Sequence, residues 1–427
     1  MGRRVGAFGR RGTLPLWPPT PAGRIPLRGE EGNEEEGRIG FKEEEEAMGE
    51  QWTRREFLEQ VAAAALAFSA GLKERWAEAQ EAPVPTEGEK FRLAIIGSGN
   101  QGRTLMREAL KIPGVEFAAV CDIFPPHREE GLKLAGPKAR GYEDYRRMLE
   151  KERKEVDALL VAVPLSAHAP IAMDCMEAGF HVFCEKAMAL TIEQCQRMLQ
   201  TARRTKRKLQ IGHQRRYNPI YHHALNLIKK GTIGRIVHVR ALWHRNHPWR
   251  RSVPKVDFDP RPWGYPDLEH LLNWRLYWAT SGGLMAELGS HQMDVVSWFL
   301  GAKPLSVMGM GGVDYWKDGR EVWDNVQVLY EYPDGVKVVY TSITANQYDG
   351  YYEQFMGDKG CIVLTQEQKG LLFLEPKAEV EWAEFARKEG KAVVLDTKAT
   401  TSKDKPKVPN TDLTLDQATG KSAYQLE

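Results

Sequence analysis

The chain has 427 residues, 28% of them charged and 42% hydrophobic, with 60 lysines and arginines against 58 aspartates and glutamates. A net charge of +2 gives no global field to recruit nucleic acid, and the length allows about two domains with ample cores. Five cysteines, an odd number at no framework spacing, predict no disulfides.

Residues 1–47 are rich in Arg, Gly and Pro and then in Glu, with no period that could bury a face, so disorder is expected there. Translation is expected to begin at Met48, since the Glu, Lys and Gly codons before it would be purine-rich, like a ribosome-binding stretch. Residues 53–58, TRREFL, resemble the twin-arginine export motif; an apolar run over 61–72 and a small-residue site, Ala77-Glu78-Ala79, follow in the required order. The run is too short and Ala-rich to span a bilayer stably. Residues 48–79 therefore read as a cleaved signal, with an ordinary amphipathic helix as the alternative.

Residues 92–96 are nearly all aliphatic, as suits a strand buried on both faces of a parallel sheet. They lead into Gly97-x-Gly99-x-x-Gly102 and a helix over 103–111, and a second strand over 116–121 delivers Asp122 twenty positions after Gly102. This is a dinucleotide pattern. Gly97 permits the tight turn, Gly99 lets backbone approach a pyrophosphate, and Gly102 lets helix pack on strand. The helix N-terminus, with Asn100 and Gln101, favours the anion. Asp122 accepts from a ribose diol and disfavours a 2'-phosphate, which predicts NAD, with NADP the alternative if a nearby basic group outweighs it.

A third buried strand over 156–163 ends at Pro164 and precedes a helix over 169–178 that stops at Gly179, and a strand over 181–184 runs into Glu185-Lys186. Strand and helix in alternation predict a doubly wound parallel sheet with right-handed crossovers. Gly97, Asp122, Pro164, Glu185 and Lys186 should then converge on one crevice at the carboxyl ends of the strands. The basic run from Arg203 to Lys208 reads as the solvated end of a helix rather than a nucleic-acid site.

The stretches VDALLVAVPLSAH, AGFHVFCEKAMALT, IGHQRRYNP and SGGLMAELGSHQMD resemble the glucose-fructose oxidoreductase, inositol dehydrogenase and MocA family, from about Phe91 to at least Leu364. The resemblance implies an α/β fold: an N-terminal Rossmann domain over 90–213, then an α/β domain over 214–427 whose large, mostly antiparallel sheet carries the substrate pocket and often an oligomer interface. It also implies catalytic positions for Lys186 and His291, with Glu287 where the family usually has Asp. Gly97, Gly99, Asn100, Gln101, Gly102, Asp122, Pro164, His168, Glu185 and Arg216 are the expected cofactor contacts. Ala187 stands where the family has proline, which leaves the backbone after Lys186 without a fixed φ. The chain ends where family members commonly begin a further helix, which points to truncation or a frameshift.

Glu287, His291 and Asp294 stand at i, i+4 and i+7, which in an α-helix puts them on one face, opposite Leu284, Leu288, Val295, Phe299 and Leu300. An imidazole flanked by carboxylates suits general acid-base work. Lys186, desolvated beside a positive nicotinamide ring, should have a lowered pKa. The expected reaction is hydride exchange between a carbinol carbon and the nicotinamide, with His291 and Lys186 handling the hydroxyl proton and Glu287 or Asp294 orienting His291 or a second hydroxyl. Trp243, Trp274 and Asp294 are the expected sugar contacts within or beside a Trp- and Arg-rich stretch; an oligomer interface selects the same residue types. His222, His223, His244 and His247 have no thiolate or carboxylate at ligand spacing, so no metal is expected. The expected protein is thus an exported enzyme with a tightly held cofactor, acting on a sugar or polyol, a passenger of the twin-arginine translocase and a homo-oligomer. A glycoside-cleaving enzyme that uses NAD transiently, and a non-catalytic sugar-binding protein, are the alternatives.

Overall fold

The computed structural model describes residues 90–375 and the backbone of Leu413–Thr414. The expected disordered segment, the signal, and the chain end lie outside the described residues. The first layer system alternates strand and helix: β1 Phe91–Ile96, α1 Asn100–Ala109, β2 Val115–Cys121, α2 Pro125–Ala135, β3 Arg140–Tyr142, α3 Tyr145–Glu152, β4 Ala158–Val161, α4 Leu165–Glu177, β5 His181–Glu185, α5 Ile192–Thr205 and β6 Leu209–Gly212. All pairings are parallel, in the order β3-β2-β1-β4-β5-β6. Leu93, Ile95, Phe117 and Val120 form a core with Met106 of α1, as aliphatic strands covered by helices should. The strand order reverses between β1 and β4, so the ligand crevice of such a sheet opens beyond their carboxyl ends.

Helix α4 begins four residues before the expected 169. Pro164 takes the N-cap position with ψ of 146°, and the Ser166 amide finds a partner outside the helix, the Thr280 carbonyl, at 3.3 Å. Pro170 lies inside α4. A capping box between Thr191 and Gln194 starts α5, and Arg203 and Arg204 occupy its last turn, where the helix dipole favours cations.

After α6 (Pro219–Lys229) the chain builds a second sheet from β7 Ile236–Asn246, β8 Ser306–Gly312, β9 Asn325–Glu331, β10 Lys337–Ile343, β11 Ala345–Gly357, β12 Gly360–Thr365, β13 Lys369–Leu374 and β14 Leu413–Thr414, with α7 (Leu268–Leu272) and α8 (Ser290–Leu300) between β7 and β8. The order is β14-β13-β12-β11-β7-β10-β9-β8. Among the described residues only β7 and β10 pair in parallel; the other pairs are antiparallel. Val239, Val338, Phe355, Ile362 and Leu364 pack against Ile220, Tyr221 and Leu225 of α6 and Val295, Val296 and Phe299 of α8. The sheet face under α8 therefore carries the odd-numbered residues of β7, including Ala241, Trp243 and Arg245. All five cysteines are free thiols. Among the described residues no helix is long and apolar enough to cross a membrane.

Candidate active site

The turn after β1 is built for close approach. Gly97 has φ of +91°, and a Cβ there would lie 2.4 Å from the Ala162 carbonyl oxygen; at Gly102 it would lie 1.9 Å from that of Gly97. Both positions exclude any side chain. At Gly99 the nearest atoms to a Cβ are His127 ring atoms at 3.7 Å, an ordinary contact, so protein packing alone does not demand glycine there. No side chain caps α1, and its first turn holds no acidic residue. Its uncapped amides are therefore free to meet an anion. The residues present fit a dinucleotide: small where the backbone must approach, uncapped where a pyrophosphate would sit.

Asp122 follows β2 and organises this turn. Its Oδ2 accepts from the Ser98 amide at 2.8 Å and Ser98 Oγ at 3.4 Å, and Oδ1 from the Phe124 amide at 2.9 Å. Three donors leave room among the four or so lone-pair sites of a carboxylate for one more, such as a ribose hydroxyl. Burial pushes the Asp122 carboxyl above its ordinary value, opposed by His127 and the two amides. Asn100 accepts from Arg103 at 2.9 Å. Gln101 donates to Glu185 Oε1 at 2.7 Å, which ties the start of α1 to the end of β5.

Lys186 leaves β5 and reaches across to the turn that precedes α8, where its Nζ donates to the Glu287 backbone carbonyl at 2.8 Å. Burial pulls its pKa below the ordinary lysine value; Glu287 and Glu185 oppose this, while Arg275 and Arg215 reinforce it. Burial also raises the Glu185 carboxyl. The Lys186–Ala187 peptide bond is cis. His168, expected at the cofactor, is instead buried with Nδ1 2.8 Å from the Ala187 carbonyl and Nε2 3.0 Å from the Val163 carbonyl. Both ring nitrogens are thus occupied by backbone, and His168 clasps the segment after Lys186 to the end of β4, beside Pro164.

The expected single helix face of Glu287, His291 and Asp294 does not form as such. Met285–Gly289 is a π-helical turn that runs into α8, and its i→i+5 bonding changes the angular spacing of the residues in it. The Glu287 carboxylate accepts from Arg275 Nε at 3.0 Å and Ser281 Oγ at 3.2 Å. Asp294 receives a fork from Arg216, with Nε at 2.9 Å from Oδ2 and Nη2 at 2.8 Å from Oδ1. Neither carboxylate bonds His291. Arg216, expected at the cofactor, is held by Asp294 and by the Trp298 ring, 5.3 Å from its centroid. Leu284, Leu288, Val295 and Phe299 are buried as expected, with Leu300 partly so.

His291 is buried, its ring 5.3 Å from that of Trp243. Burial, then Lys186, Arg215 and His213, hold it well below the ordinary imidazole value, so it is neutral at physiological pH. Trp243 stacks on Tyr351 with centroids 4.4 Å apart. Trp274 lies under the Arg275 guanidinium, 4.3 Å from its ring centroid. Lys186, Glu287, His291, Trp243 and Arg275 thus share one locality, while Arg216 and Asp294 pair with each other.

Sequence reading missed Arg215, Arg245 and Glu353. Arg215 and Glu353 are fully buried and paired, and Arg215 Nε also donates to Glu367 at 2.8 Å while Tyr221 donates to Glu353 at 2.9 Å. Burial pushes Glu353 up and Arg215 pulls it back. Alternation along β11 carried a signal: Tyr351, Glu353 and Phe355 share one face, so a carboxylate on that face needs a buried cation. Among the described residues no cluster of His, Cys, Asp and Glu could hold a metal ion.

Residues 91–213 match the family described as "Oxidoreductase family, NAD-binding Rossmann fold", and residues 221–363 match the "GFO/IDH/MocA C-terminal domain". The inositol 2-dehydrogenase of Salmonella typhimurium is 34% identical over 167 residues, 39% of this chain and 48% of that protein. An alpha-N-acetylgalactosaminidase of Shewanella oneidensis is 28% identical over 201 residues, 45% of this chain and 40% of that protein. The chain spans about half the length of the curated relatives it matches. A solved myo-inositol 2-dehydrogenase from Lactobacillus plantarum has the same fold, with a TM-score of 0.54 at 23% identity over 65% of this chain and 77% of that one. With its NAD-binding Rossmann sheet and the matching second domain, this chain belongs to the GFO/IDH/MocA oxidoreductase family.

Proposed function

We propose that the protein is an NAD-dependent dehydrogenase acting on the CH–OH group of a sugar or polyol. The observation that carries this reading is the 2.8 Å contact between Lys186 Nζ and the Glu287 carbonyl, which sets a lysine at the mouth of the dinucleotide crevice against the turn leading to His291. NAD, when bound, supplies the hydride acceptor. Burial moves Lys186 toward neutral pH and His291 away from it, and a proton acceptor works best with a pKa near the operating pH. Lys186 therefore takes the hydroxyl proton, and neutral His291 holds the hydroxyl in place. Glu287 acts through Arg275 and Lys186 rather than on His291. The kinship with an inositol 2-dehydrogenase supports a polyhydroxylated substrate.

The test is a panel of sugars and polyols added to NAD-loaded protein, with the nicotinamide absorbance followed. Reduction by at least one member supports the reading; protein that binds no NAD, or NAD reduced by none of the panel, contradicts it.

The kinship with an alpha-N-acetylgalactosaminidase favours a second reading, in which transient oxidation of a ring hydroxyl lets the neighbouring glycosidic bond leave by elimination and the hydride then returns. Nitrophenol released from a nitrophenyl glycoside without net NAD reduction supports it.

Residues 53–58 support export by the twin-arginine route, in which the cofactor is held tightly enough to travel with the folded protein. Accumulation of the unfused protein in the cytoplasm of its native host counts against this. Self-association is supported by edge strand β8, where Val307, Met308 and Met310 are 62%, 66% and 72% exposed, more apolar surface than an isolated edge usually carries.

A further inference from the structure

We propose that the substrate carries an anionic group, a carboxylate or phosphate on the sugar or polyol, and that Arg245 receives it. This rests on the dehydrogenase reading above and narrows its substrate class to sugar acids or sugar phosphates.

Arg245 is next to last in β7, two residues beyond Trp243, so both project from the sheet face that carries α8. Its guanidinium carbon lies 5.7 Å from the Trp243 ring centroid and 5.2 Å from that of Trp249. The Trp243 ring is in turn 5.3 Å from His291. Arg245 therefore stands one aromatic ring away from the group assigned to hold the reacting hydroxyl.

Arg245 lacks the carboxylate partner that five arginines of this region have. Arg215, Arg216, Arg250, Arg275 and Arg320 each sit on a carboxylate. Arg245 forms no ion pair among the described residues, and its buried Nε has no hydrogen-bond partner. Burial and the nearby Arg275 both disfavour its charge, yet a guanidinium does not give up its proton in a protein. A buried, charged donor left unpaired is costly. The two tryptophan rings lie beside the guanidinium and offer its N–H groups no acceptor, and those N–H groups are what binds a carboxylate or phosphate in a two-point fork. Arg275, with one nitrogen on Glu287, adds a second positive charge beside it. A neutral sugar's hydroxyl could accept from this donor but would leave its charge uncompensated.

The test is calorimetric titration of the full-length, NAD-loaded protein with matched probes: D-glucuronate against D-glucose, D-galacturonate against D-galactose, and glucose 6-phosphate against glucose. At least one charged probe should bind ten times or more tighter than its neutral parent, and whether uronate or phosphate does so identifies the anion. Arg245→Met should abolish that margin and Arg245→Lys should keep part of it. Retained NAD shows that each variant is folded, with Arg245→Gln used in place of a methionine variant that loses its nucleotide. The inference is overturned if no charged probe outbinds its parent in the wild type, or if the margin survives in Arg245→Met or Arg245→Gln. NAD reduction by a neutral sugar without any such margin would sink this inference alone and leave the dehydrogenase reading intact.

Discussion

Lys186 Nζ meets the main chain of Glu287, not its carboxylate, at 2.8 Å. The lysine is thereby positioned without an ion pair of its own, and its basicity is set by burial and by charges around it. Burial and the positive neighbours favour the uncharged amine, so Lys186 loses its proton at a lower pH than an ordinary lysine. The base form accumulates as pH rises. The kcat for substrate oxidation should therefore climb along a limb below the ordinary lysine range and then level off. Because Glu287 raises the Lys186 pKa, Glu287→Gln should move that limb to lower pH. A pH profile of kcat in both proteins checks this, and a limb that does not move removes Glu287 from the electrostatics of the site.

The three glycines of the turn should separate by experiment. Gly102→Ala places a Cβ 1.9 Å from the Gly97 carbonyl oxygen, so α1 must shift and stability should fall by about 1–3 kcal/mol, as overpacking does. Gly99→Ala meets nothing closer than 3.7 Å and should leave the urea midpoint nearly unchanged while weakening NAD binding. Equal loss of stability in the two variants would refute the ligand-facing role of Gly99.

Asp122→Ala removes a carboxylate from the end of β2 and a partner from the Ser98 amide. Losing a charged hydrogen bond to the ribose costs roughly 1.5–3 kcal/mol, so NAD should bind about ten- to a hundredfold more weakly. NADP, relieved of a like charge, should lose less or gain. Fluorescence titration of both reduced nucleotides measures the ratio, and an unchanged ratio would count against Asp122 as the discriminating group.

Arg215 and Glu353 lie 138 positions apart in the chain and are both fully buried. Arg215→Met strands the Glu353 carboxylate and takes a partner from Glu367, whereas Glu353→Leu leaves the guanidinium with Glu367 alone. Arg215→Met should cost about 3–5 kcal/mol in urea unfolding and Glu353→Leu less, while the double variant should lose less than the sum of the two. Additive losses would mean that the two side chains do not act as a pair.

These residues mark what the sequence could and could not disclose. Gly97, Gly102 and Asp122 were legible because a turn, a close helix and a strand end each impose a residue type at fixed local spacing. Lys186 was legible because it directly follows a buried strand. The placing of Glu287, His291 and Asp294 was not, since a π-turn leaves no periodic trace and an assumed α-helical spacing put the carboxylates on the wrong partner. His168 and Arg216 were assigned to the cofactor on resemblance, and local packing gives each another partner. Arg215 with Glu353, and Arg245 with its two tryptophans, depend on strand pairing between distant segments, which local patterns do not encode.

The most direct measurement of the central claim is the single-turnover rate of nicotinamide reduction in Lys186→Met beside the wild type, both loaded with NAD and given the same reducing sugar or polyol. The variant should bind NAD as the wild type does and reduce it at least about a hundredfold more slowly, the usual loss when a positioned proton acceptor is removed. Reduction at the wild-type rate by Lys186→Met would contradict it.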